Sequence, residues 1–160
     1  MRKWLSQVTP LAAITSLALT SAAWADFACS NATLKGEYAF GVTNLTARQV
    51  VAGIKVFNGR GGLTQRDYQG NSVPADFSPP GQETGTYIVD PDCTGSMVVN
   101  LNVPGGGGGQ IKILFVISDG GRHIHEVVSE LTPPFAPGPV PVQTSADDWK
   151  VAPATDQDNQ

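Results

Sequence analysis

Residues 34–42, with the sequence LKGEYAFGV, set the pattern that most of the chain repeats. On an extended strand Leu34, Tyr38 and Phe40 fall on one face, whereas Lys35 falls on the other. This alternation, with a period of two residues, predicts a β-strand that is buried on one side only.

Six further runs of β-branched and aromatic residues follow, with turn residues between them, and helical periodicity is almost absent. The Asn58-Gly59 pair predicts a hairpin, because both residues tolerate a positive φ. The second run is apolar on both faces except at Lys55. The run 111–118 is the most apolar, which places it in the middle of a sheet. The predicted strands cover residues 34–42, 49–57, 63–69, 83–89, 93–102, 111–118 and 122–131.

Seven strands joined by mostly short links predict an all-β fold, an antiparallel up-and-down barrel of seven to eight strands. Closure into a barrel removes the exposed sheet edges that an open meander would leave. An eighth strand could come from residues 140–143 or 149–151. A two-sheet β-sandwich is the alternative.

Residues 1–25 have the three parts of a signal peptide: Arg2 and Lys3, an apolar run over 11–19, and Ala23-Trp24-Ala25 before the cleavage site. We therefore expect an exported protein, periplasmic or extracellular. No other stretch approaches the roughly 20 apolar residues that a membrane-spanning helix needs.

The remaining chain divides into two parts by composition. Residues 26–132 are expected to form the barrel domain. Residues 133–160 form a C-terminal tail, rich in proline at first and polar afterwards, which we expect to be flexible. Trp149 is an exception in this tail, and it is expected to dock on the domain, for example at a barrel mouth.

The net charge of the chain argues against nucleic acid and anionic membranes as partners. Removing Arg2 and Lys3 from the ten basic residues leaves eight against fourteen acidic ones, a net charge of −6. An acidic chain without a basic cluster is a poor binder of nucleic acid or anionic lipid.

Cys29 and Cys93 predict one disulfide in an oxidising compartment, and they lack the C-x-x-C spacing of a redox or metal pair.

His123 and His125 are the only histidines, and their spacing places both rings on one face of a strand. Such a pair can begin a metal site, but Glu126 points to the other face and the sequence identifies no third ligand. The favoured interpretation is a hydrogen-bonded pair on a sheet surface or barrel wall, so no metal or cofactor is assigned.

Since charges alternate with aliphatic residues on the face of the strand that carries Arg122 and Glu126, we expect that face to lie outside the barrel and the histidine face to lie inside.

The candidate ligand-binding residues are His123, His125, Tyr38 and Phe40, although core packing is the favoured interpretation of the two aromatic rings. The glycine-rich segments 59–62 and 105–109 lack the residues of a phosphate-binding loop and predict turns. No nucleophile–base set is recognisable, so no catalytic residue is assigned.

Three segments carry a resemblance: CSNATLKGEYAF at 29–40, FNGRGGL at 57–63 and GTYIVDPDCTG at 85–95. This pattern resembles a group of small exported bacterial proteins, mostly of uncharacterised function. The first strand is also similar to the opening strand of calycin-type barrels, and the meander is similar to allene-oxide-cyclase-like barrels. The resemblance implies an eight-stranded barrel with a lumen for an apolar ligand, and it assigns no catalytic residue.

Three functional hypotheses follow. The first is an exported protein that binds a small or apolar ligand without catalysis. The alternative is an enzyme of the cyclase or isomerase kind that uses the barrel lumen, with His123, His125 and Glu83 as the residues to mutate. The second alternative is a structural or surface-interaction protein whose proline-rich tail contacts a partner. The sequence leaves the oligomeric state open.

Overall fold

The computed structural model describes residues 28–44, 49–69, 83–101, 108–134 and 136–151. Within these ranges eight antiparallel strands follow one another in chain order and close into a barrel. Short 3₁₀ turns lie at Asn31–Thr33 and Asp119–Gly121. The strands are β1 (Lys35–Asn44), β2 (Gln49–Asn58), β3 (Gly62–Gln69), β4 (Glu83–Val89), β5 (Thr94–Leu101), β6 (Gly109–Ser118), β7 (His123–Thr132) and β8 (Thr144–Lys150).

The predicted up-and-down barrel is confirmed, and the sandwich alternative is wrong, because β1 pairs with β8 as well as with β2. The closing strand is β8, which overlaps the proposed 149–151 segment but begins at Thr144. The barrel therefore continues beyond the expected boundary at residue 132. Residues 1–25, to which the signal peptide was assigned, and 152–160 lie outside the described residues.

The two ends of the barrel differ in how they are filled. At the end where β1 begins and β8 finishes, Phe57 packs edge-to-face against Tyr38 at 5.2 Å and against Tyr87 at 5.1 Å. Leu34 lies fully buried against these rings. The Tyr87 hydroxyl donates a hydrogen bond to the Leu34 carbonyl at 2.9 Å, so the plug of this end is fixed by polar contacts as well.

The disulfide between Cys29 and Cys93 lies at the same end. It fastens the segment before β1 to the turn between β4 and β5, and the Cys29 amide also donates to the Pro91 carbonyl at 3.1 Å. Cys29 is buried, and it belongs to the same apolar core as Leu34. The bridge thus holds the chain that closes this end in place.

The inward face of β7 is the reverse of the one expected. Ile124 and Glu126 point into the barrel, whereas His125 is exposed on the outer wall. The alternation of charged and aliphatic residues was misleading, because the charge of Glu126 is neutralised inside by partners on other strands.

A β-bulge changes the facing of β7 near its end. Lys112 on β6 pairs with Glu130, but the next residue, Ile113, pairs with Val128, so Ser129 is an extra residue. Because an added residue reverses the alternation, Leu131 points into the barrel although it shares odd numbering with the histidines.

Among the described residues, no helix has the length and apolar character needed to cross a membrane.

The disulfide closes a loop across 64 positions of sequence, so its removal should destabilise the barrel by enlarging the entropy of the unfolded chain. We expect the Cys29→Ser/Cys93→Ser double variant to lose up to about 4 kcal/mol of unfolding free energy, measured by urea titration with circular dichroism. Wild type in a reducing buffer is the control and should lose a similar amount. An unchanged urea midpoint in both samples would contradict a stabilising bridge.

Candidate functional site

A pocket of about 280 Å³ opens at the end of the barrel opposite the disulfide. Its position follows from the topology, since it is lined by the residues of β1, β2, β6 and β7 that lie farthest from the aromatic plug. Pro133 and Pro134, directly after β7, form part of its rim. The apolar side chains that line it are Phe40, Val42, Val51, Leu101, Ile111, Ile113, Val128, Leu131 and Ala146.

The floor of the pocket is an ion cluster between three strands. The Lys55 ammonium from β2 lies 2.6 Å from both carboxylate oxygens of Glu126 on β7, and 3.0 Å from Asp148 Oδ2 on β8. All three side chains are almost completely buried. The Lys55 Nζ also lies 4.6 Å from the centre of the Phe40 ring, a cation–π contact at the pocket wall.

Burial and charge act against each other in this cluster. Burial by itself lowers the pKa of Lys55, but the charges of Glu126 and Asp148 outweigh it and raise that pKa, so the ammonium stays charged. Burial raises the pKa of Asp148 to about 8 against the opposing effect of Lys55. The cluster therefore combines a charged ammonium with a carboxyl group, that of Asp148, which binds its proton more tightly than an exposed aspartate does.

A second polar group lies on the β3 and β4 side of the lumen. Gln65, which lines the pocket, donates from Nε2 to Glu83 Oε2 at 3.0 Å. Burial, and then the neighbouring Asp67, raise the pKa of Glu83 to about 7, although the Gln65 hydrogen bond opposes the change. Burial also raises the pKa of Asp67, which lines the pocket as well. Glu83 can thus exchange a proton near neutral pH.

Thr144, at the start of β8, is half-buried and lines the same pocket. Its Oγ1 atom has no hydrogen-bond partner among the described residues. Because buried hydroxyl groups nearly always have a partner, this oxygen is available to a polar group inside the pocket.

The four predicted ligand-binding residues lie in three different places. Phe40 lines the pocket. Tyr38 belongs to the closed aromatic core, where its hydroxyl donates to the Gly121 carbonyl. His125 is exposed on the outer wall, and His123 projects from the same face but is buried beneath Trp149. The expectation that the histidines face the lumen is therefore wrong, because Glu126 occupies the inward face of β7.

The outer wall nevertheless brings the two histidines together with a third polar residue. Asp147 on β8 lies opposite His125 in the strand register. Its Oδ1 atom is 3.1 Å from His123 Nε2 and 2.8 Å from His125 Nδ1. The Trp149 indole stacks on the His123 ring, with centroids 3.5 Å apart and planes inclined by 15°. The expectation that Trp149 docks on the domain is confirmed, though on the wall rather than at the mouth.

Sequence reasoning missed most of the polar lumen. Lys55 left a signal, because it is the one charged residue in an otherwise apolar strand. Glu126 and Asp148 left none, since each looks like a solvent-facing charge until β8 is placed between β7 and β1.

Comparisons of the chain with family models, curated proteins and solved structures gave no match. The site is therefore interpreted from its own geometry.

Removing the Lys55 ammonium should destabilise the folded protein, because it leaves the Glu126 carboxyl group buried without a counter-charge. We expect Lys55→Met to lower the unfolding free energy by about 3–5 kcal/mol at neutral pH, measured by urea titration. The Lys55→Met/Glu126→Gln double variant removes both charges and should recover most of that loss. An unfolding free energy of Lys55→Met within about 1 kcal/mol of the wild-type value would be inconsistent with a paired charge at this depth.

Glu83 and Asp148 should make the protein less stable as pH rises. Their folded-state pKa values, about 7 and about 8, exceed the ordinary values of 4.5 and 3.8. Between those limits the folded state binds more protons than the unfolded state, so the stability that these two groups contribute is fully present below about pH 3.8 and is lost as pH rises through about 7 and 8. The Glu83→Gln variant should show a shallower fall in Tm between pH 5 and 8.

The matched control for this pH series is Glu37→Gln, which changes an exposed glutamate on β1. It should keep the wild-type slope of Tm against pH. A Glu83→Gln slope equal to that of wild type would show that Glu83 ionises normally in the folded protein.

Proposed function

We propose that this is an exported binding protein that holds one small amphiphilic molecule, neutral or cationic, in the barrel lumen without catalysis. The observation that carries the proposal is the open pocket at one barrel end, with apolar walls above a floor of buried polar groups. Ligand sites combine these features, because apolar walls supply affinity and a few fixed polar groups orient the ligand.

The size of the pocket limits the ligand. Its 280 Å³ is close to the lower end of the range for small-molecule sites, roughly 300–1,000 Å³. It is also nearly twice the roughly 150 Å³ of an engineered cavity that binds benzene. A single ring with a substituent or a short alkyl chain fits this space, whereas a long-chain lipid exceeds it.

The charge of the lumen determines the preferred head group. Lys55 is the one cationic side chain among the described residues that line the pocket, and it is already engaged by Glu126. Lys55 and Glu126 neutralise each other, whereas Asp67 adds a further carboxyl group to the lining and Glu83 lies behind Gln65. An anionic ligand would meet this excess of carboxylates, so an amine or a neutral hydrogen-bond donor is favoured.

The residues at the rim indicate that the pocket has its shape before a ligand binds. Pro133 and Pro134 fix their own backbone torsions, so they form a stiff edge at the mouth. The Val140 amide donates to the Leu131 carbonyl at 2.8 Å, which folds the first part of the proline-rich stretch back onto β7. A preformed site loses little conformational entropy when a ligand binds.

Export is supported by the disulfide and by the sequence of residues 1–25. Structural disulfides persist in the periplasm and outside the cell, and the bridge here joins the buried Cys29 to the partly buried Cys93. A periplasmic or extracellular location is thus part of the proposal.

The alternative of a cyclase or isomerase now depends on carboxyl groups, since both histidines lie outside the lumen. Glu83 favours it, because a carboxyl group with a pKa of about 7 suits general acid–base catalysis. A substrate would have to enter the same pocket, so the binding experiment below applies to both functions. Partner binding by the proline-rich tail stays a separate prediction.

Ligands with the same alkyl chain and different head groups test the proposal. We expect hexylamine and 1-hexanol to shift the amide NMR signals of Phe40, Ile111 and Val128 at millimolar concentration. Titrations followed by these signals should give hexanoate a dissociation constant at least about tenfold higher than that of hexylamine, which is equivalent to about 1.4 kcal/mol of binding free energy. If hexanoate binds as well as hexylamine, the charge argument is wrong.

Two neighbouring positions on β8 provide a matched pair of variants. Ala146→Phe places a ring in the lumen and should abolish the signal shifts, whereas Ser145→Phe places the same ring on the outer wall and should preserve them. Equal binding by both folded variants would place the ligand outside the lumen.

A further inference from the structure

We propose that His123, His125 and Asp147 form a binding site for one divalent transition-metal ion, such as Zn²⁺, on the outer wall of the barrel. This site is independent of the lumen, because its side chains project from the opposite face of β7 and β8. The three residues bring two imidazole nitrogens and a carboxylate oxygen within 4.8 Å of one another.

The strand register produces this arrangement. His123 and His125 are two residues apart on β7, so both rings leave the same face of the sheet. Asp147 lies directly across from His125 on the neighbouring strand. Cross-strand neighbours of this kind have side chains close enough to share a ligand.

The distances suit coordination. Around a zinc ion with bonds of about 2.0–2.2 Å, neighbouring ligand atoms in a tetrahedron are about 3.4 Å apart. Asp147 Oδ1 lies 3.1 Å from His123 Nε2 and 2.8 Å from His125 Nδ1. The two imidazole nitrogens lie within 4.8 Å of each other, so a rotation of the exposed His125 ring would bring all three atoms around one ion. The hydrogen bonds between these atoms would then be exchanged for metal bonds.

The two imidazoles differ in how they are held. The stacked Trp149 ring fixes His123, whose side chain is only 11% exposed. His125 and Asp147 are more than half exposed, so an ion can reach the site from solvent. Three protein ligands with an accessible fourth position is the composition of reactive zinc sites, whereas structural zinc sites use four protein ligands.

The ligand set defines the class of metal. Imidazole nitrogen suits Zn²⁺, Cu²⁺ and Ni²⁺, whereas Ca²⁺ and Mg²⁺ prefer sites built of oxygen atoms only. We therefore expect uptake of Zn²⁺ in the presence of millimolar Mg²⁺.

Zinc titration of the full chain, produced without a histidine tag and in competition with a coloured chelator, tests the proposal. We expect one Zn²⁺ per chain. His125→Ala and Asp147→Asn should each weaken the affinity by about tenfold or more. Asp119→Asn removes an exposed carboxylate from the turn that precedes β7, and it should bind like wild type. Circular dichroism verifies the fold of each variant.

The histidine tautomers give a second readout, which is simple to assign because the chain has only two imidazoles. With zinc bound, His123 should coordinate through Nε2 and carry its proton on Nδ1, and His125 should show the opposite tautomer in ¹⁵N NMR. The proposal is overturned if zinc uptake does not saturate, if His125→Ala binds like wild type, or if both rings adopt the same tautomer in the zinc-loaded protein.

Discussion

The Lys55 ammonium group, enclosed by Glu126 and Asp148, ties β2 to β7 and β8 across the interior of the barrel. An ammonium group and two carboxyl groups at this depth are tolerated only because each has a partner, and each partner comes from a different strand. The cluster also separates the two halves of the interior. Aromatic and aliphatic side chains fill one half completely, while the other half stays open as the pocket.

The alternation of buried and exposed residues gives β7 and β8 two separate polar surfaces. Glu126 and Asp148 point inward and help to form the floor of the lumen, whereas His125 and Asp147 point outward. The thickness of the sheet separates the two clusters, so a substitution in one leaves the side chains of the other in place. The two proposed sites can therefore be studied one at a time.

Much of the fold was predictable from local patterns. The period-two runs, the Asn58-Gly59 turn and the cysteine pair identified seven strands and the disulfide, because these signals depend on neighbouring residues or on compartment. The closing strand was harder. The sequence of β8, TSADDWK, has few apolar residues, since Asp148 is stabilised inside by a lysine that is 93 positions away.

The candidate sites were predicted less well, for a related reason. Which face of β7 points inward depends on whether Glu126 or His125 finds a partner across the barrel, and only the three-dimensional register determines that. That Phe40 points inward was predictable, because it lies on a strongly alternating strand. Asp147 was missed because its pairing with His125 exists only once the chain returns to β7 after the proline-rich stretch.

The extra residue at Ser129 has a consequence for how this scaffold can vary. The bulge takes up this one residue, so the side chains from Glu130 to the end of β7 keep the partners on β6 that a strand without Ser129 would give them. Deleting Ser129 would therefore leave Val128 and Leu131 facing inward and Glu130 facing outward, without altering the strand order. A change of one residue in length at this position is thus absorbed by the strand, and the apolar rim of the mouth survives it.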